Sequence, residues 1–180
     1  MPPPSDSRND PFSVLGLAAR FDLDPSDVER AFLQRVAAAH PDHVADDLPG
    51  PDQDEAEAVV ARLSNAREAL LDAERRAVAL LARMGGADAS ADRSLPVGFL
   101  QEMLEVREAM EAEIAAEGDA ARQRWGRWAA ERRTGHMNRL RTWFEAPTPP
   151  LAEIRRELNA WRYVERMLEQ LDSRPGTGSV

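Results

Sequence analysis

Residues 10–42 read DPFSVLGLAARFDLDPSDVERAFLQRVAAAHPD, and the order of signals in this stretch decides the fold of the first half of the chain. Asp10-Pro11 begins a short helical turn that carries Phe12, Val14, Leu15 and Leu17. Asp24-Pro25 predicts the start of a second helix, because aspartate caps helices well and proline suits the first helical position. This helix ends near His40, since Pro41 disfavours helical geometry in the residue before it. Its apolar stripe consists of Val28, Phe32 and Val36.

The segment after Pro41 predicts a loop to about Asp52, followed by one long helix. An apolar three-four repeat runs almost unbroken from Val59 to Met84 and indicates a single helix over this range. Two long helices joined by such a loop make an antiparallel hairpin. We expect the 12–17 turn to pack across it.

The composition indicates an all-α protein and excludes several functions. Valine, isoleucine and threonine number 11, 2 and 4, whereas alanine alone supplies 30 residues. The absence of cysteine excludes disulfides and thiolate metal sites. A net charge of −9 argues against nucleic-acid binding. No apolar run is long enough for a membrane span and no signal peptide is evident, so we expect no membrane partner and a cytoplasmic location.

The chain divides near Gly85-Gly86, where helical periodicity stops. Beyond it we predict three antiparallel helices at about 98–117, 119–146 and 150–171, which would form a three-helix bundle. The first of them has six glutamates and one arginine, and the second has seven arginines and three acidic residues. The two helices can therefore pair across the bundle. The predicted organisation is a disordered tail (1–9), a first domain (10–84), a linker (85–95), the bundle (96–172) and a second disordered tail (173–180).

The tripeptide His40-Pro41-Asp42, with Asp10–Leu17 before it and a long helix after it, resembles the J domain of DnaJ-type co-chaperones. The resemblance implies that the tripeptide stimulates ATP hydrolysis by an HscA- or DnaK-type chaperone. It also implies that a basic face on the preceding helix, here Arg30 and Arg35, meets that chaperone. We expect no catalysis and no cofactor in this chain.

Two other interpretations of the tripeptide stay open. His40 and Asp42 could simply cap the helix and form a turn. Alternatively, His40, Asp42 and His43 could serve a metal-dependent hydrolase, although a metal site needs three or four convergent ligands.

The second half narrows the resemblance to HscB, the J-domain co-chaperone of iron-sulfur cluster assembly. The segments FLQEMLEVRE (99–108) and LNAWRYVE (158–165) carry it, and it spans residues 10–171. Arg67 stands where that family usually has an aromatic residue, and Ala73 where proline is common. The resemblance implies an L-shaped protein that presents the scaffold protein IscU as its client. The implied scaffold-binding residues are Leu100, Gln101, Leu104, Glu105, Glu108 and Tyr163. A J-domain protein with a different client stays an alternative, and we expect a monomer with a weak dimer left open.

A helical wheel supports the same surface independently of the resemblance. At about 100° per residue, Met103 and Met110 face the bundle with Phe99, whereas Leu100 and Leu104 turn away from it, either to stay exposed or to pack on the first domain. On the last helix Tyr163 falls on the outer face, and we expect Met167 to lie there one turn further on. Trp125 and Trp128 are expected to be packing residues.

Overall fold

A computed structural model describes residues 9–39 and 53–172, and only the backbone at 53–56 and 170–172. All regular structure in these residues is helical, which confirms the predicted all-α class. No helix in the described ranges is long and apolar enough to cross a membrane. Two compact units are present, Met1–Gly86 and Ala87–Val180. The helices are α1 (Pro11–Leu15), α2 (Pro25–Ala39), α3 (Gln53–Leu71), α4 (Ala73–Arg83), α5 (Phe99–Glu117), α6 (Asp119–Phe144) and α7 (Leu151–Asp172).

The first helix of unit 1 forms where the sequence predicts it. The Asp10 carboxylate accepts a hydrogen bond from the Ser13 amide at 3.2 Å and so caps α1. The same carboxylate pairs with Arg83 at the end of α4. Helix α1 packs chiefly against α3 and also touches α2, as expected for a turn laid across a hairpin. The buried apolar side chains of this core include Phe12, Leu15, Val28, Leu63, Leu70 and Leu80.

The prediction of one long helix from residue 53 to residue 84 is wrong. Helix α3 ends at Leu71 and α4 begins at Ala73. Between them Asp72 has extended backbone angles, φ −80° and ψ 123°, and its side chain accepts from the Arg75 amide at 2.7 Å. Aspartate competes for local amides in this way, so a new helix begins although the apolar repeat continues.

The described part of unit 2 contains three helices, α5, α6 and α7, at nearly the predicted positions. Helix α7 contacts both α5 and α6. One buried cluster joins α5 to α7 and comprises Phe99, Met103, Met110, Ala160, Val164 and Met167. Trp125 and Trp128 are partly buried against this cluster, with ring centroids 5.6 Å apart.

The charges of α5 and α6 pair as their composition suggests. Arg124 donates to Glu117 at 2.8 Å and to Glu113 at 2.9 Å, and Arg132 donates to Glu102 at 2.6 Å. These pairs are partly exposed to solvent, which screens their charges, so each contributes little to stability. They align the two helices.

A buried polar cluster joins α6 to α7. His136 is 2% exposed and its Nδ1 lies 2.6 Å from Oε1 of Glu157. Arg139 Nε donates to the same oxygen at 2.6 Å. The imidazole stacks on Trp161 with an interplanar angle of 6°. His136 is therefore a packing and hydrogen-bonding residue of the bundle.

Candidate partner-binding surfaces

The two arginines predicted to meet a chaperone, Arg30 and Arg35, are both exposed on α2. They line one cleft of about 480 Å³. Arg30 pairs with Asp27 at 3.0 Å. The Arg35 guanidinium lies over Gly16, a residue with φ +71°, and a side chain at that position would collide with it. The structure therefore brings the two arginines to the same surface of unit 1.

Glu29, which directly precedes Arg30 in the sequence, is held by α3. Arg67 of α3 donates to the Glu29 carboxylate from Nε at 2.7 Å and from Nη2 at 2.5 Å. Those hydrogen bonds lower the pKa of Glu29 below its usual value. The guanidinium also lies 5.4 Å from the centre of the Phe32 ring. Arg67 thus lies over an aromatic ring and pairs with Glu29, a role that its polar side chain did not suggest from sequence.

The predicted chaperone-binding tripeptide, His40-Pro41-Asp42, lies outside the described residues, as does His43. Helix α2 is described to Ala39, directly before the tripeptide. Within the described ranges no group of three histidine, aspartate or glutamate side chains could hold a metal ion.

The predicted leucine pair of unit 2 lies on the surface. Leu100 is 56% exposed and Leu104 is 57% exposed, whereas Met103 between them is 1% exposed. Since Leu100 and Leu104 are one helical turn apart, they form a continuous apolar ridge on α5.

Tyr163 of α7 extends this ridge. Its side chain is 38% exposed, and its ring meets the Phe99 ring edge to face at 5.6 Å between centroids. Phe99 is itself buried and directly precedes Leu100. An edge-to-face contact with a buried ring holds Tyr163 at the beginning of α5. The sequence pattern did not single out Phe99 as this support, although its position before the leucine ridge was the available signal.

Polar residues flank the leucine ridge on α5. Gln101, Glu105 and Glu108 are all exposed. The Gln101 amide donates to the Glu105 carboxylate at 3.2 Å. We call the surface made by Leu100, Gln101, Leu104, Glu105, Glu108 and Tyr163 the leucine face.

Met167 does not belong to this face, and the expectation that it would is wrong. Its side chain is 6% exposed and belongs to the α5–α7 cluster. Because α7 packs on both α5 and α6, two of its sides are buried, and a wheel centred on a single apolar stripe misplaces the second.

The described residues include two exposed surfaces, the leucine face on unit 2 and the arginine-lined cleft on unit 1. Exposed apolar ridges with charged margins are typical of protein-binding surfaces. The leucine face and the arginine-lined cleft are open, and neither gathers an acid, a base and a nucleophile around one point.

Comparison with solved structures identifies the architecture. The human co-chaperone protein HscB aligns with a TM-score of 0.72 and 21% identity, over 96% of this chain and 83% of that chain. The fold is that of HscB. The chaperone HscB from Vibrio cholerae aligns with a TM-score of 0.69 and 21% identity, over 90% of this chain and 94% of that chain. Both alignments to HscB run through most of the two units. No protein-family profile and no curated protein sequence matches the chain.

Proposed function

We propose that this protein is a cytoplasmic co-chaperone of iron-sulfur cluster assembly, which stimulates the ATPase of an HscA- or DnaK-type chaperone and delivers the scaffold protein IscU to it. The observation that carries the proposal is the leucine face. Leu100 and Leu104 stay exposed beside Tyr163 in a chain that has the HscB fold. Burying such a pair of leucines in a partner contributes about 1.5–3 kcal/mol for each side chain.

The chaperone-binding role is assigned to unit 1. His40-Pro41-Asp42 follows α2 in the sequence, and Arg30 and Arg35 lie exposed on that helix. The Glu29 carboxylate is already paired with Arg67, so it opposes the two arginines less than its position in the sequence suggests. This favours attraction of the cleft to an acidic chaperone surface.

In the proposed function, one chain binds both the client and the chaperone. A client held by unit 2 is presented to whichever chaperone unit 1 engages, so the local concentration of client at the chaperone rises. ATP hydrolysis is then triggered when the client is present.

The test is the steady-state ATPase rate of the purified chaperone, measured with this protein alone, with IscU alone and with both. We expect the combination to exceed the sum of the separate stimulations. His40→Gln should abolish stimulation and leave IscU binding unchanged in calorimetry.

Normal stimulation by His40→Gln would contradict the assignment of the tripeptide. Stimulation that IscU does not enhance would instead favour a J-domain protein with another client.

A further inference from the structure

A second surface of unit 2 has the opposite charge to the leucine face. A groove of about 540 Å³ lies between α7 and the segment that precedes α5. Its lining residues include no aspartate and no glutamate, in a chain whose net charge is −9. The groove is lined by Ala89, Ser90, Arg93, Leu95, Asn159, Arg162, Tyr163 and Arg166; we call it the arginine groove.

Two arginines of this groove differ from most others in unit 2. Several arginines elsewhere in the unit bind carboxylates, as Arg133 binds Glu165 at 2.5 Å and Arg139 binds Glu157 at 2.6 Å. Within the described part of the chain, Arg93 and Arg166 have no carboxylate within ion-pair distance, and both are exposed. Their positive charges are available to a partner.

The groove is preformed. Asn159 lines it and donates from Nδ2 to the carbonyl of Asp92 at 3.0 Å and to that of Ser94 at 2.9 Å. These bonds tie the segment carrying Arg93 to the helix carrying Arg166. Two cations held on a fixed framework lose less conformational entropy on binding than two free side chains on a mobile loop.

The arginine groove is continuous with the leucine face. Tyr163 lines the groove and also contacts Phe99, the residue before Leu100. A partner that covers the leucines and Tyr163 would therefore reach the groove without a break.

We propose that the arginine groove binds an acidic segment of the scaffold protein whose apolar patch covers the leucine face. This inference rests on the function proposed above. The leucines supply buried apolar area, while the paired cations select the orientation of the client, because charge complementarity fixes register more than it adds affinity. The acidic margin of α5 and the basic groove beside α7 would give the binding surface two ends of opposite sign.

The test is calorimetric binding of purified IscU to the full chain at low and at high salt. The variant is Arg93→Glu with Arg166→Glu. Its matched control is Arg122→Glu with Arg127→Glu, which makes the same charge change at exposed positions of α6. We expect the groove variant to bind about tenfold more weakly at low salt and to lose most of its salt dependence. The control should bind like the wild type.

A charge swap on the partner provides a further test. Acidic clusters of IscU are changed to lysine one cluster at a time, and one of these IscU variants should restore affinity for the groove variant. Thermal melting checks that the variants fold. If the two glutamate substitutions destabilise the bundle, IscU binding is measured instead with the milder pair Arg93→Gln with Arg166→Gln.

The groove variant could bind IscU as tightly as the wild type while Leu104→Ala binds it more weakly. That result would contradict the role of the arginine groove in binding and would leave the proposed function unaffected. Absence of IscU binding by the wild-type chain would contradict both. Self-association of the wild type that the groove variant abolishes would assign the groove to the acidic face of a second copy, and would also overturn the proposal.

Discussion

Neighbouring residues on α5 have opposite surroundings, and this contrast can be tested directly. Leu100→Ala with Leu104→Ala should weaken IscU binding at least tenfold, because two exposed leucines would no longer be buried in the partner. The free energy of unfolding should change by under about 0.5 kcal/mol. Calorimetric binding and chemical unfolding measure the two quantities.

Met103→Ala is the control for the leucine variant. Met103 is 1% exposed, so its truncation leaves a cavity and should cost about 2–5 kcal/mol of folding free energy. If the leucine variant lost as much stability as Met103→Ala, the leucines would belong to the core and the leucine face would not exist.

The buried Glu157 carboxylate predicts how unit 2 responds to acid. Burial alone would raise the pKa of Glu157, but hydrogen bonds from His136 and Arg139 outweigh it and hold the pKa below its usual value. A carboxylate with a lowered folded-state pKa stabilises the fold above its ordinary pKa, and this contribution is lost as the pH falls through the lowered value. Wild-type stability should therefore decline as the pH is taken below about 5.

Glu157→Gln tests this contribution. The variant should lose about 1–3 kcal/mol of stability at neutral pH, and its stability should change less than that of the wild type between neutral and acidic pH. Urea unfolding at a series of pH values measures both. Glu153→Gln, an exposed change on the same helix, should behave like the wild type. Identical acid profiles for Glu157→Gln and the wild type would show that the cluster contributes nothing to the pH response.

For single residues, the sequence correctly predicted which side chains are exposed where exposure depends on the position of a residue around one helix. Leu100, Leu104 and Tyr163 are exposed as the wheel placed them. It did not predict contacts made by residues from different helices, such as the pairing of Arg67 with Glu29 or of His136 with Glu157. Such contacts depend on how the helices pack against each other, and the apolar periodicity of one segment carries no information about that packing.

Among the secondary-structure elements, the junction of α3 and α4 is where local chemistry prevails over the apolar repeat. Asp72 caps α4, and Ala73 is its first residue. The first helical position accepts proline, and an extended residue before it is what proline requires. This agrees with the HscB family, in which proline is common at the position of Ala73. That common proline was the available sign of a helix boundary here.

Ala73→Pro should consequently be tolerated or should stabilise the protein by up to about 1 kcal/mol, because it restricts the unfolded chain without straining the folded one. Val78→Pro, inside α4 and partly exposed, should cost about 3 kcal/mol or more. Thermal unfolding of the two variants makes the comparison. Equal destabilisation by both prolines would mean that α3 and α4 behave as one continuous helix.

For the whole molecule, the proposed function requires both surfaces in one chain. Under that proposal, His40→Gln lacks the chaperone signal, and the double leucine variant lacks the client surface. An equimolar mixture of the two should fail to restore synergistic ATPase stimulation, since each chain tethers only one partner. The chaperone's ATPase rate with IscU is the measurement, and the wild type at the same total concentration is the control. Full synergy from the mixture would show that the two activities need no covalent connection.

All four tryptophans, at positions 125, 128, 143 and 161, and the single tyrosine fall in the second compact unit. Tryptophan fluorescence therefore reports on the second unit alone, because residues 1–86 contain no tryptophan. Both units contribute to the far-ultraviolet circular dichroism signal. One denaturation series recorded with both signals can separate the unfolding of each unit in the intact chain. Superimposable curves would indicate that the units melt together, and displaced curves would measure how independently each one holds its structure.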